Sequence, residues 1–360
     1  MKKVIEYLNN NQPKKIINQQ IRVYGWQKEY DHQLVSSVSN YLFEDLNRIE
    51  HIVEVNEDNR PGKVKPNFYI TVHDTGDSAA IHTAKFWSDA VYNHSFTEDG
   101  KFNKYLCSYQ YVVGNDGVYH NLPDNEVAYH AGDTTKFDYK LYKASVQGNN
   151  EDPVITISED GFYEIDGKKS EIAAPRIYRE KNGEVVEDRL PTTNDLNDQS
   201  VLCKLIDGEY YIGETYYSAS YRLIANRGGN NNSVGIESCI NEDTDIYFTW
   251  QRTAKLVAHL LDENNLTMKD IKQHHYFSGK NCPQTIRMNG MWPHFLELVK
   301  FERDMLEFKK EGYKFELICN DERVDAVGRI TSVGTEAIKY TIKVSKDNET
   351  AEYNGIIEVK

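Results

Sequence analysis

The chain lacks the features of disulfide-stabilised, membrane-spanning and nucleic-acid-binding proteins. Its five cysteines are odd in number, scattered and without a CxxC pair, which excludes a disulfide framework and indicates folding in a reducing compartment. No apolar run reaches the roughly 18 residues that a membrane helix needs. Asp and Glu number 56 against 42 Lys and Arg, and the net charge of −14 argues against nucleic acid as the main partner.

The first residues also lack the pattern of a signal peptide. The opening segment, MKKVIEYLNNNQPKKIINQQ, starts basic but has no apolar run of the seven or so residues that a signal core requires. We therefore expect synthesis in the cytoplasm. If the protein acts on the outside of a cell, another route must release it.

Apolar patterns predict an α/β (α+β) fold in which helices cover a mixed central sheet. Apolar and β-branched runs predict interior strands, Asn115-Asp116-Gly117 predicts a hairpin turn, and 3.6-residue periodicity predicts helices. The predicted strands are 68–74 and 233–240, the hairpin is 108–123, and the helices are 36–55, 77–93, 249–265 and 292–310.

Changes in composition divide the chain into several parts. Residues 1–64 form a polar, helical arm that ends in a segment rich in Pro, Gly and charge. Residues 65–133 and 231–310 carry the mixed α/β pattern. Residues 134–230 contain Asp-Gly and Asn-Gly turns between candidate strands and are too long for an ordinary loop, so they predict a β-rich insertion. Residues 311–360 predict a small all-β module of sandwich type.

Three residues have the chemistry of metal ligands. The HExxH motif and any HxH pair are absent, but His73 ends a predicted strand, and His274 lies eight residues before Cys282. A catalytic zinc site needs about three protein ligands and one open position. A histidine at a strand end projects into the crevice at the sheet edge, where the distant pair could meet it. From these residues alone, the alternative to a metal site is that the histidines are hydrogen-bonded in the core or exposed on the surface.

Four motifs in order are similar to those of the type-2 N-acetylmuramoyl-L-alanine amidases. They are YITVHDTG, NLPDNEVAYHAGD, NNSVGIESCIN and HHYFSGKNCP. This family includes phage endolysins and prophage autolysins, and it shares its fold with peptidoglycan recognition proteins. The resemblance covers residues 65–133 and 231–305 and leaves out the arm, the insertion and the C-terminal module.

The resemblance implies a zinc hydrolase that acts on bacterial peptidoglycan. The bond cleaved is the lactyl amide between N-acetylmuramic acid and L-alanine, with one Zn²⁺ per chain, in a lysin that degrades the cell wall after release. The implied metal ligands are His73, His274 and Cys282. The implied catalytic residues are Glu237 as base and Lys280 near the oxyanion. The implied substrate-binding residues are His82, Tyr109 and His130.

Several residues leave these assignments open. His275 beside His274 makes the second ligand ambiguous by one residue, and only the spacing to Cys282 favours His274. Gln110 stands where relatives commonly have a histidine, and Tyr129 where they have a tryptophan. His82, on the face of a predicted helix, is equally well explained as a packed histidine. Cys107 and Cys239 are better explained as small buried residues than as ligands.

Two other functions fit the same features. The first is a peptidoglycan-binding or recognition protein without catalysis. The second is a structural wall-docking protein that binds through its C-terminal module. For the amidase, we expect the β-rich insertion to form a separate lobe near the mouth of the groove, with effects on substrate choice rather than on chemistry. The sequence leaves the oligomeric state open.

Overall fold

The computed structural model describes the chain except for residues 27, 99–100, 133–140, 182–183, 197–200, 202, 214–228, 279 and 360. No helix within the described parts is long and apolar enough to cross a membrane.

Helices and strands follow one another in four groups. The first group is α1 (Lys2–Asn11), β1 (Asn18–Val23), β2 (Tyr30–Val35) and β3 (Arg48–Glu50). The second is β4 (Tyr69–Asp74), α2 (Ala84–Tyr92), β5 (Ser95–Glu98), β6 (Lys101–Lys104), β7 (Tyr111–Gly114) and β8 (Gly117–His120). The insertion holds β9 (Leu141–Gln147), β10 (Ile155–Ile157), β11 (Phe162–Ile165), β12 (Lys168–Ala173), β13 (Ile177–Lys181), β14 (Glu184–Arg189), β15 (Cys203–Ile206) and β16 (Glu209–Gly213). The last group is β17 (Ser233–Ser238), α3 (Ile246–Glu263), β18 (Ile271–Gln273), α4 (His274–Ser278), α5 (Gln284–Met288), α6 (Trp292–Lys310), β19 (Lys314–Ile318), β20 (Ile338–Lys346) and β21 (Glu349–Ile357).

The predicted mixed central sheet is confirmed. It has six strands in the order β18-β4-β17-β7-β8-β3. The first four are mutually parallel, and β8 returns antiparallel to β7 through the predicted hairpin. Parallel neighbours end at the same edge of a sheet, so β18, β4, β17 and β7 direct the residues that follow them to one place.

Helices cover both faces of this sheet. On one face, the predicted stripe of α3 (Trp250, Ala254, Val257, Leu261) is buried in one apolar cluster with Ile70, Val72 and Ile236 of the sheet. On the other face, Trp87 and Val91 of α2 pack against Val112. The apolar side chains of α3 and α2 are thus the main contacts that bury the sheet.

The predicted helix at 36–55 is wrong. This segment contains β3, which pairs with β8 at the edge of the central sheet, and its other residues are irregular. Its apolar residues do not share one face: Val38 and Tyr41 belong to the core of the C-terminal part, Leu46 packs on the main core, and Val53 lies with α2. Contacts with three separate cores override the local periodicity.

Helix α2 begins later than predicted. Its N-cap is Thr83, whose Oγ1 accepts a hydrogen bond from Phe86 N at 3.4 Å. The carboxylate of Asp116, in the hairpin turn, accepts hydrogen bonds from the first two backbone N–H groups of the helix. Asp77 instead caps a turn of its own at Ala79 N. His82 therefore lies before the helix and not on its face.

The insertion is β-rich over 141–213, as predicted, and has its own apolar core. Two three-stranded sheets, β10-β11-β12 and β15-β16-β9, bury residues that include Val146, Ile165, Leu196 and Ile212. Segments 133–140 and 214–228, which include the predicted start of the insertion and all but the last two residues after β16, lie outside the described residues.

The C-terminal part is a single antiparallel sheet and not the two facing sheets of a sandwich. Strand β20 pairs with β19 and β21, and its alternating residues Tyr340, Ile342 and Val344 are buried. Their partners are apolar residues of two helices, Val4 and Leu8 of α1 and Phe301 and Met305 of α6. Because these helices supply the second layer, no second sheet is needed.

A buried ion pair joins the two long helices. Lys255 Nζ of α3 lies 2.7 Å from Glu302 Oε2 of α6, and their side chains are only 5% and 2% exposed. Burial lowers the pKa of Lys255 and raises that of Glu302, and each charge opposes the shift of the other. Glu302 Oε1 also accepts a hydrogen bond from Leu42 N. One carboxylate thus joins the backbone at Leu42 to both helices.

We expect Glu302→Gln to lower the free energy of unfolding by about 3–5 kcal/mol, because it leaves Lys255 buried and unpaired. Glutamine keeps an acceptor for Leu42 N. The double variant Lys255→Met/Glu302→Gln should recover most of this loss, while Glu307→Gln, in an exposed pair of the same helix, should change little. Urea unfolding measures all three. Full stability of Glu302→Gln would show that the pair is not needed.

Candidate metal centre

Three adjacent parallel strands bring the candidate residues together. In the register of the sheet, His73 at the end of β4 stands opposite Glu237 of β17. Gln273 of β18 pairs with Val72 of β4, so His274 directly follows at the level of His73. Two histidines and a carboxylate therefore lie side by side at the carboxyl edge of the sheet.

His73, His274 and Cys282 form a buried group with metal-ligand geometry. One ligand atom from each lies within 4.8 Å of the others. His73 Nδ1 is 3.7 Å from Cys282 Sγ, and the rings of His73 and His274 have centroids 4.7 Å apart. His275 is not in the group. The structure thus brings together the three residues predicted from sequence, with His274 rather than its neighbour.

The donor set fits a soft divalent cation. Burial, and then neighbouring histidines and Lys280, hold the pKa of His73 well below its usual value, and burial does the same for His274. Both imidazoles are therefore neutral at pH 7, the form that binds metal. Burial raises the pKa of Cys282, so a thiolate there needs a cation nearby. Two neutral imidazoles and a thiol that lie this close together are a common set of zinc ligands.

His130 orients His73 from behind. Its Nδ1 lies 3.0 Å from His73 Nε2, which leaves His73 Nδ1 directed toward Cys282. The ring of His130 packs directly on β17, where a Cβ at Gly235 would come within 2.7 Å of it. Burial, and then the charge of Lys65, lower the pKa of His130 to about 3. His130 is thus neutral and fixed in place.

Glu237 lies close to the group without being one of its three members. Its Oε1 is 3.8 Å from His73 Nδ1, and its side chain is 15% exposed. Burial raises the pKa of Glu237 to about 8, with the cationic Lys280 opposing the shift and Asp74 adding to it. Glu237 Oε2 has no hydrogen-bond partner within the described part of the protein. Its carboxylate can therefore take up a proton close to neutral pH.

A cavity of about 620 Å³ opens onto these residues. His73, His274 and Cys282 line it together with Glu237, Lys280 and His130. Aromatic rings form much of its wall, namely Trp26, Trp87, Phe96, Tyr105, Tyr109 and Tyr129. The combination of apolar walls and a few polar groups is typical of sites for small molecules or for parts of polymers.

Other predicted residues have different surroundings. His82 is not among the residues that line the cavity: it is buried, stacks on Phe86 and has Nδ1 3.0 Å from Asp77 Oδ2. Tyr109 reaches the cavity but is almost fully buried, and its hydroxyl donates to Trp87 O. Gln110 links neighbouring segments, since Oε1 accepts from Gly235 N and Nε2 donates to Glu126 O.

The two remaining cysteines of this region differ from each other. Cys239 is buried, as predicted, and packs in the cluster below α2. Cys107 is exposed and lines the cavity, so the prediction that it is buried was wrong. Neither belongs to the metal-ligand group.

Comparison with known proteins agrees with the sequence motifs. A family model described as N-acetylmuramoyl-L-alanine amidase matches residues 63–285. The chain belongs to this family.

Two curated relatives come from Bacillus subtilis (strain 168). N-acetylmuramoyl-L-alanine amidase CwlH is 22% identical over 244 residues, which are 68% of this chain and 57% of CwlH. N-acetylmuramoyl-L-alanine amidase XlyA is 21% identical over 241 residues, 67% of this chain and 48% of XlyA. The chain thus spans about half the length of these relatives. The solved catalytic domain of XlyA is 20% identical with a TM-score of 0.39, over 71% of this chain and 99% of that domain.

Asp74 and Trp26 are among the residues of the site that were missed in the sequence. Asp74 directly follows His73 in this family member, and its Oδ2 accepts a hydrogen bond from Thr285 N at 2.8 Å. It therefore ties the end of β4 to the helix that follows Cys282, and its place after a strand-end histidine was an available signal. Trp26 lies in the polar arm outside the family match, where no pattern marks it.

Proposed function

We propose that the protein is a zinc-dependent N-acetylmuramoyl-L-alanine amidase that hydrolyses the lactyl amide between N-acetylmuramic acid and L-alanine of peptidoglycan. One observation carries this proposal: His73, His274 and Cys282 converge beside Glu237 at the edge of the sheet. Family membership supports the reaction. The similarity of the motifs to phage endolysins supports a role in cell-wall degradation, with the protein acting on the wall after its release.

The metal would be held by His73 through Nδ1, by His274 and by Cys282. Zinc bound by such a set lowers the pKa of a water molecule toward about 7 and polarises a carbonyl group. His73 would keep its proton on Nε2 and donate a hydrogen bond to His130 Nδ1, the kind of outer contact that fixes a ligand's orientation. Asp74 would hold the segment that follows Cys282.

Glu237 would carry the proton during hydrolysis. It takes a proton from the attacking water as the oxygen adds to the amide carbon, and it delivers that proton to the nitrogen of L-alanine as the C–N bond breaks. The products are the lactyl carboxylate and a free amino group on the stem peptide. Lys280 would stabilise the oxyanion that forms between these steps.

Trp26 would extend the groove with a surface for the substrate. Trp26 is 59% exposed and lines the cavity, and its backbone N donates a hydrogen bond to Gly76 O at 2.9 Å, two residues after Asp74. An exposed indole on the wall of an apolar cavity can stack on the apolar face of a sugar ring. This residue would add binding contacts but no chemistry.

Digestion of purified peptidoglycan tests the reaction directly. We expect stem peptides with a free L-alanine amino group, identified by mass analysis, and a rate lower by about 10²–10⁴ for Glu237→Gln at unchanged zinc content. Glutamine keeps the shape of the side chain and removes the base. Binding to peptidoglycan without new amino groups would identify a recognition protein instead, and loss of zinc in Glu237→Gln would make Glu237 a ligand.

Metal analysis tests the ligand set. The wild-type chain should hold one zinc, while His73→Ala, His274→Ala and Cys282→Ala should each hold well below one equivalent after dialysis. His275→Ala removes the neighbouring imidazole, and after the same dialysis it should retain clearly more zinc than the three ligand variants. The assignment would be wrong if His275→Ala lost zinc and His274→Ala kept it.

Kinetics test the role of Trp26. We expect Trp26→Ala to raise KM about 5- to 10-fold with little change in kcat, because a contact made equally in ground and transition states affects binding alone. Phe68→Ala is the control, since Phe68 is 57% exposed and is not among the residues lining the cavity. Equal KM values for the two variants would show that Trp26 does not contact the substrate.

A further inference from the structure

Arg287 of α5 is buried between the amidase core and the insertion, and the proposed reaction does not use it. Its side chain is 1% exposed, and burial lowers the pKa of its guanidinium, with the charge of Asp152 opposing the shift. A buried cation is costly unless a partner of opposite charge and hydrogen bonds compensate for the lost water. The contacts of Arg287 therefore show which groups compensate for the burial of its charge.

On one side, Arg287 holds the residues that precede two proposed metal ligands. Its Nη1 donates to Gln273 Oε1 at 2.7 Å, and Gln273 comes directly before His274. Its Nε donates to Asn281 Oδ1 at 3.0 Å, and Asn281 comes directly before Cys282. One planar guanidinium thus sets the distance between the two segments that carry these ligands.

On the other side, Arg287 is held by the insertion. Its Nη1 lies 3.3 Å from Asp152 Oδ1, and its Nη2 donates to Pro153 O. Asp152 Oδ1 also contacts His275 Nδ1. The backbone N of His275 donates a hydrogen bond to Cys282 O at 3.1 Å. The contact of Asp152 with His275 therefore also acts on the segments that carry His274 and Cys282. Asp152 therefore contacts both Arg287 and His275.

We propose that Asp152 and Arg287 are positioning residues, through which the insertion holds His274 and Cys282 in place for the metal. This inference rests on the proposed function, because it assumes that these residues bind zinc. It changes the expectation from sequence that the insertion acts on substrate choice alone. Residues behind a metal ligand fix its orientation, and their loss typically weakens metal binding by about 10- to 100-fold.

The test is the zinc affinity of the full chain, measured by competition with a chromogenic chelator. We expect Asp152→Asn to weaken zinc binding by about 10- to 100-fold. It should also change the visible absorption of the cobalt-substituted protein, which reports the arrangement of ligands around the metal. Asp152→Glu should recover part of the affinity. The control is Glu151→Gln, which removes the neighbouring and exposed carboxylate that pairs with Lys272 and should leave both readouts unchanged.

A second variant covers the case in which Asp152→Asn fails to fold because Arg287 is left unpaired. Asp152→Asn/Arg287→Gln removes both charges, so it should fold and still bind zinc more weakly, since Gln273 and Asn281 have lost their common partner. Wild-type affinity and an unchanged cobalt spectrum in the folded double variant would overturn the positioning role alone. Absence of zinc from the wild-type chain would overturn the proposed function and this inference with it.

Discussion

The parallel alignment of β18, β4 and β17 is the constraint on which the site depends. It sets His73 opposite Glu237 in the register and delivers His274 to the same level from the other side. A shift of one residue in either pairing would turn these side chains to the opposite face, into the apolar cluster beneath α3. The burial of Ile70, Val72 and Ile236 on that face therefore fixes the register.

Around this edge, hydrogen bonds act mainly on residues next to the proposed ligands and less on the ligands themselves. Asp74 follows His73 and holds α5, while Arg287 holds the residues that precede His274 and Cys282. The ligand atoms are left facing one another. Such an arrangement limits rearrangement when a cation binds, because a residue next to each ligand is already held.

The apolar pattern of the sequence was sufficient for the interior strands, the hairpin and the long helices, since burial on one face leaves a regular period. It failed at 36–55, where apolar residues serve three different cores. The resemblance of four motifs to the amidase family located His73, His274 and Cys282, while the spacing of these residues alone left surface histidines as an alternative. The contact between Asp152 and Arg287 joins residues 135 positions apart, and neither residue lies in a motif, so nothing local could indicate it.

The packing of α1 on the C-terminal sheet has a consequence for the order of folding. Val4 and Leu8 share a core with Ile342 and Ile357, and Ile16 N donates a hydrogen bond to Glu358 O. During synthesis α1 emerges before the C-terminal sheet, and Ile342 and Ile357 leave the ribosome more than 300 residues after Leu8. Contacts of such long range form slowly, so we expect the packing of α1 on this sheet to form late in folding.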